Sequence, residues 1–446
     1  MKRRMTAALL TMTLLASMCG CTGENDTQTA GSGFIYQTPE MKGEISVNVY
    51  ETSEWLESAI AMFEDKYPDM KVKLNVFYEA KSAQTEESGM EMGSRPAGQT
   101  REDYNAQLNT QLMSGKADDI IITSVGLPLG QYATMGVLED LSPYLEAAEE
   151  INEDDYYMNI FDAYRTASGA LYELPISASA VPLFVFEKEL LEDTGVTLPN
   201  AEAITWREAL DLAMEICNNA NLPNVCLPDA WGITGDLLTK AIISFVDYES
   251  GTIHFEEEKI RDILSIFEEV SYYPASSMSQ DELRAYQLRY QPDFEVAGEV
   301  ILRGSEVRPW KQDDGNVYLS PYFSLDFGIN SKSEHKELAW EFLRFLISEE
   351  VQSLPSCPYA GVNKAGLHTR VTGSLENWSS ELTEEDRNKA AELVDDWVSQ
   401  ITAYRAEDTD LIQISEGIHQ SYVFGEISED EAVAQLQEKL NQYISQ

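Results

Sequence analysis

Two periodicities organise this chain: apolar and polar residues alternate in some stretches, as on a half-buried strand, and elsewhere apolar residues return every three or four positions, as on an amphipathic helix. Residues 45–50 (ISVNVY) alternate and predict a first strand. A helix over 54–67 follows, with Ser53 or Thr52 as its N-cap, Glu54 and Glu57 at its positive end, and Pro68 as its stop. Residues 71–78 (KVKLNVFY) alternate again and predict a second strand. The Gly-, Ser- and Glu-rich segment 81–102 has neither period and reads as an exposed insertion. A helix over 104–113 ends near Gly115, and residues 119–123 (DIIIT) form a third strand, apolar enough to be buried. Strand, helix, strand in this order opens an α/β sheet. Ser142 as N-cap and Pro143 as first helical residue predict a short helix.

The stretch 168–195 (SGALYELPISASAVPLFVFEKELLEDTG) connects this half to the rest. A short strand over 170–174 meets Pro175, which lacks an N–H and suits a strand end. Four small residues, 177–180, lead into the apolar run 181–186, and a helix over 188–193 stops at Gly195. Small residues between two strands predict either a crossover between two bodies or an exposed loop within one sheet. Beyond them, Thr205 and Glu208 fit a capping box for a helix reaching 218. Residues 219–231 read as loop, 239–246 and 257–270 as helices, 296–303 as a strand, and 317–329 as two short strands around Pro321. A helix over 331–352 carries Leu338, Phe342, Phe345 and Leu346 on one face. Two more helices begin at Thr383 and Ser428.

A chain of 446 residues exceeds one ordinary core and predicts two lobes of about 150 to 200 residues each. Its beginning stands apart. Lys2, Arg3 and Arg4 precede an apolar run to Met18, too short to span a bilayer, and Gly20 then meets Cys21. This is a secretory signal, and with Cys21 directly after Gly20 it resembles a bacterial lipoprotein signal, in which that cysteine is lipidated. Residues 22–43 are rich in Thr, Gly, Ser and Asp and read as a flexible tether. The formal charge is −46, and losing the three basic residues of the signal takes it to −49. A surface so acidic repels phosphate backbones, which excludes nucleic acid as a partner. Cys217, Cys226 and Cys357 remain, without metal-type spacing, and Cys217 and Cys226 are compatible with either a disulfide or buried thiols.

Catalytic motifs are absent: there is no G-x-S-x-G, H-E-x-x-H or P-loop, and His254, His335, His368 and His419 are scattered. The sequence therefore predicts no enzyme and no cofactor or metal.

Seven segments in order, GVLEDLSPYL (136–145), SGALYELPIS (168–177), LFVFEKELLEDTGV (183–196), TWREALDLA (205–213), WGIT (231–234), FGINSKSEHKELAWEFLRFLISEEVQ (327–352) and YAGVNKAG (359–366), together resemble the extracellular solute-binding lipoproteins of bacterial ABC importers, the group that includes maltose-binding protein. The resemblance implies an α/β, two-lobed, periplasmic-binding-protein-like (type II) fold with three hinge crossings, near 177–180, 321–325 and 358–362. It implies residues 44–177 plus 324–358 as lobe 1 and 178–323 plus 359–446 as lobe 2, after a signal over 1–20 and the tether. It also implies a monomer, anchored through Cys21 on the outer face of the membrane, that delivers a carbohydrate such as an oligosaccharide to permease subunits. A polyamine or another polar solute, or a polysaccharide hydrolase, is the alternative.

A sugar site needs flat aromatic faces and a few polar groups. Binding beyond the carboxyl ends of strands nominates 51–55, with Trp55, and Ser124 to Gly126; core packing is the competing reading for Trp55. Trp231 lies in a loop with no helical pattern to explain it. Gly304, Ser305 and Trp310 resemble the family's strand-Gly-aromatic segment facing the cleft. Tyr322, Phe323, Asp326 and Tyr359 lie in the expected hinges. Trp206, Trp340 and Trp397 fall on helices and read as packing residues.

Overall fold

The computed structural model describes residues 36–78, 100–178, 183–220, 230–248, 250–269, 289–290, 294–319, 325–357, 360–404 and 408–445. The first half runs β1 (Gly43–Val49), α1 (Glu54–Lys66), β2 (Met70–Val76), α2 (Arg101–Ser114), β3 (Ile120–Ile122), α3 (Leu129–Met135), α4 (Ser142–Ala147), α5 (Met158–Ala163), β4 (Leu174–Pro175) and β5 (Ser177–Ala178). Then come β6 (Leu183–Phe186), α6 (Lys188–Thr194), α7 (Trp206–Asn219), α8 (Ala230–Ser244), β7 (Val246–Asp247), β8 (Thr252–Ile253), α9 (Glu257–Glu269), β9 (Arg289–Tyr290), α10 (Phe294–Arg303) and β10 (Glu306–Pro309). The chain closes with β11 (Asp326–Ile329), α11 (Lys336–Leu346), α12 (Glu349–Gln352), β12 (Ala360–Gly361), α13 (Lys364–Trp378), α14 (Glu384–Ser399), α15 (Thr409–Val423) and α16 (Glu429–Ile444).

The main sheet has the order β2-β1-β3-β11-β4. β1 pairs in parallel with β2, from Gly43 opposite Met70 to Val49 opposite Val76, and with β3 through Val47 and Ile120. β11 enters antiparallel from far along the chain, setting Phe327 opposite Ile122 and Asp326 opposite Pro175. Ile45, Val47, Ile120, Ile121, Phe327 and Ile329 are all fully buried, as strands covered on both faces require. A second, antiparallel sheet has the order β10-β6-β9. Between them β5 pairs with β12, Ala178 opposite Ala360 and Ser177 opposite Gly361. The segments around 177 and 360 are thus neighbours, and Ile176 N–H donates to Leu325 C=O at 3.2 Å beside them. The fully buried amide of Gln352 ties the same point together, donating to Ile176 C=O and accepting from Asn363 N–H at 3.0 Å.

Helix starts follow local chemistry. Ser53 caps α1 by accepting from Leu56 N–H, and Thr100, Thr205, Thr383 and Ser428 each close a capping box with the acid three residues on. Elsewhere the structure corrects the sequence. Residues 296–303 are helical within α10, not a strand: Val296, Ala297 and Gly298 are buried against the helices that follow, a helical face that a short apolar run conceals. The long helix over 331–352 is broken into α11 and α12, with Ser348 extended between them. α4 is capped at Leu141, so Pro143 falls in its first turn rather than at its first residue. The helix expected over 239–246 starts at Ala230 and takes in Trp231, which is therefore not in a loop. Most of the insertion 81–102, the residues Cys21 and Cys226, and residues 1–20, expected to be a lipoprotein signal, lie outside the described residues. Among the described residues no helix is long and apolar enough to cross a membrane.

Candidate functional site

A cavity of about 280 Å³ opens beyond the end of β3. One wall comes from elements around the main sheet: Leu127, Leu129 and Gly130 at the start of α3, Tyr164 after α5, and Tyr172 and Glu173 before β4. Ile243 and Ser244 at the end of α8, Val246 of β7, Tyr248 and Asp408 complete the lining, with Tyr404 against Tyr164. The walls meet where Gly126, at φ +78°, accepts through its carbonyl from Thr409 N–H at 3.1 Å and from the Thr409 hydroxyl at 2.8 Å. A Cβ at Gly126 would collide with that hydroxyl, so glycine lets the loop after β3 lie against α15.

Tyrosines dominate the walls. The Tyr164 and Tyr404 rings stack at 3.7 Å between centroids, 6° from parallel. Behind them, the Tyr164 hydroxyl donates to Asp326 Oδ2 at 3.1 Å. Burial, and then the Asp326 charge, push the Tyr164 phenol well above its usual range. Asp408 is the N-cap of α15, taking the N–H groups of Asp410 and Leu411. It also accepts from the hydroxyls of Tyr443 at 2.6 Å and Tyr248 at 3.2 Å. Glu173 is 6% exposed, and its carboxyl is held well above the ordinary range, first by burial and then by the neighbouring Asp326 charge. Flat apolar faces beside a few fixed polar groups are the chemistry of a site for a polar, ring-bearing small molecule.

The residues nominated from sequence scatter around this cavity. Trp55 is fully buried and its indole donates to Val351 C=O at 3.1 Å, so it packs the core rather than facing a ligand. Ser124 and Asp326 lie behind the wall, where the Ser124 hydroxyl accepts from Asp326 N–H at 3.1 Å. Gly304, Ser305 and Trp310 belong to the β10 side of the molecule and do not line the cavity. Trp310 is 6% exposed, packs with Phe184, Trp206 and Leu210, and has the Lys240 ammonium 4.2 Å from its ring centre, beside a separate cavity of about 50 Å³. Tyr322, Phe323 and Tyr359 lie outside the described residues, as does the side chain of Trp231. Trp206, Trp340 and Trp397 are buried packing residues. Sequence reasoning missed Tyr164, Tyr172, Glu173, Tyr248 and Tyr404. Only Tyr172 and Glu173 carried a signal, in the short strand that ends before Pro175.

Residues 49–247 match the family model described as bacterial extracellular solute-binding protein. Solved structures share the fold across most of the chain. An extracellular solute-binding protein family 1 member from Alicyclobacillus acidocaldarius superposes with a TM-score of 0.55 at 14% identity, covering 91% of this chain and 99% of its own. The periplasmic oligogalacturonide binding protein from Yersinia enterocolitica gives 0.56 at 15% identity, covering 90% and 99%. The sugar-binding protein MalE from Xanthomonas citri gives 0.56 at 14%, covering 90% and 98%. The fold is thus the α/β, two-lobed, type II periplasmic-binding-protein-like one that the ordered motifs resemble.

Proposed function

We propose that this chain, whose residues 49–247 match the extracellular solute-binding family, binds a carbohydrate outside the cytoplasm and delivers it to an ABC importer. The observation that carries the reading is the cavity lined by Tyr164, Tyr172, Tyr248 and Tyr404 from both sides of the fold. A sugar ring placed against such faces engages both walls, favours the closed arrangement of the two lobes, and so presents a closed form to the permease. Cys21 provides the lipid anchor, and the lobes divide as 44–177 plus 324–358 and 178–323 plus 359–446. A polyamine is favoured by Glu173 and Asp408 on charge, but four tyrosines suit a ring better than a flexible chain. The hydrolase alternative is disfavoured at Asp408, whose carboxylate is occupied as a helix cap and by two phenols.

The test is thermal unfolding of the mature domain against mono- and oligosaccharides and spermidine. A ligand at about 100 times its dissociation constant adds about 2.7 kcal/mol, a rise of a few degrees. One saccharide class raising the midpoint, and recovered uncleaved, is the expected result. A cleaved product establishes the hydrolase, and a shift with spermidine alone the polyamine reading.

A further inference from the structure

Among the described residues, Glu173 is the carboxyl of the cavity wall left partly unsatisfied. Its side chain is more than nine-tenths buried, and among the described residues no hydrogen bond of normal geometry reaches its Oε2. Such an oxygen costs stability unless something binds it. The groups around it do not fill the role. Asp326 on β11 faces it as a second acid, and the Thr123 hydroxyl just after β3 offsets the effect of burial and that charge only in part. The Tyr164 hydroxyl is directed to Asp326 instead. Asp408, across the cavity, is taken by Tyr248, Tyr443 and two backbone amides. Arg165, the cation of the wall, is bound to Asp162 at 3.3 Å and to Gly169 C=O at 2.8 Å.

Among the described residues the wall contains no Asn, Gln, Lys or His. Amides, which both donate to and accept from a neutral hydroxyl, are therefore missing from it. The hydroxyls of Thr166 and Ser244 are bonded to the Ser168 hydroxyl and to Ala241 C=O, so beside them and the paired Arg165 the wall offers carboxyl oxygen and tyrosine face, and both attract positive charge.

Resting on the carbohydrate reading above, we propose that the ligand is an amino sugar, a saccharide with a free ammonium group that Glu173 receives beside the faces of Tyr164, Tyr172 and Tyr404. The ammonium supplies the missing donor to Oε2 and neutralises the carboxylate, while the sugar ring lies on the phenols. Burial, and then the Asp326 charge, favour the protonated form of Glu173 in the empty cavity, whereas an ammonium beside it favours the carboxylate, so entry of an already charged amine is expected to release a proton to solvent.

The experiment is calorimetric titration of the mature domain with chitosan oligomers and with the N-acetylated chitin oligomers of the same length. It is run at about pH 5, where an amine of ordinary basicity is charged, in two buffers of different ionisation enthalpy. The expected result is binding of the chitosan oligomer with proton release, at least about tenfold tighter than the N-acetylated oligomer. Glu173→Gln should erase that preference and the proton release together. Proton release in the unmodified protein keeps the test decisive if the variant does not fold. Equal or tighter binding of N-acetylated or other neutral sugars, without proton release, overturns the amino-sugar assignment and leaves the carbohydrate reading standing. Binding of spermidine with no saccharide overturns both.

Discussion

His419 lies in α15 with 2% of its surface exposed, and burial alone pushes its imidazole down to about 4. Its Nε2 lies 3.3 Å from the Thr234 hydroxyl. In the unfolded chain the ring keeps its ordinary value of 6.5. As pH falls from that value, the unfolded chain gains a proton that the folded one refuses until about pH 4, so stability is lost across this window. The whole window amounts to roughly 3 kcal/mol. Urea unfolding of His419→Gln should show a shallower acid-side decline than the unmodified protein, and equal slopes would mean that the folded protein accepts the proton. Gln352 makes a second prediction. Its substitution by Ala leaves the Ile176 carbonyl and Asn363 amide buried without their partner, where the segments around 177 and 360 meet. The expected cost is about 2–4 kcal/mol in urea denaturation, and a loss below about 1 kcal/mol would show that the surroundings replace the amide.

At the scale of elements, α10 docks through Gly298, where an added Cβ would meet the Trp378 ring at 2.6 Å and Leu375 at 2.9 Å. Gly298→Ala should therefore destabilise by about 1–3 kcal/mol despite its better helix propensity. Gly417, within α15 and open to space, should do the opposite: Gly417→Ala gains about 0.5–1 kcal/mol. Opposite shifts in the thermal midpoint are expected, and shifts of the same sign would contradict the packing at Gly298. These two positions also mark what a sequence discloses. Capping boxes such as Thr205 with Glu208 are local, complete within four residues, and legible from residue order alone. The helix over 296–303 is not legible in that way, since a short apolar run fits a buried strand as well as a helical face, and the contact that decides it joins Gly298 to the distant Trp378. The break at Ser348 is hidden for a similar reason: apolar spacing continues through it while the backbone turns.

For the whole molecule, the order of motifs disclosed the two-lobed α/β fold, whereas the pairing of the distant segments near 177 and 360 came only from the structure. The cavity was not disclosed. Its tyrosines come from after α5, before β4, after β7 and after α14, and nothing local to Tyr248 or Tyr404 separates them from other surface aromatics. Tryptophans drew attention by size, yet Trp55 and Trp310 are consumed by packing. The ligand therefore lies either against the Tyr164–Tyr404 stack or beside Trp310, and one titration decides between them. With the saccharide that raises the thermal midpoint in hand, calorimetry compares the unmodified protein with Tyr404→Ala, which removes the ring stacked on Tyr164, and Lys240→Ala, which strips the cation from Trp310. Loss of a stacked aromatic should weaken binding by about tenfold or more, while the Lys240 variant binds as before. Unchanged affinity in Tyr404→Ala together with a loss in Lys240→Ala would move the site to the Trp310 side and contradict the assignment.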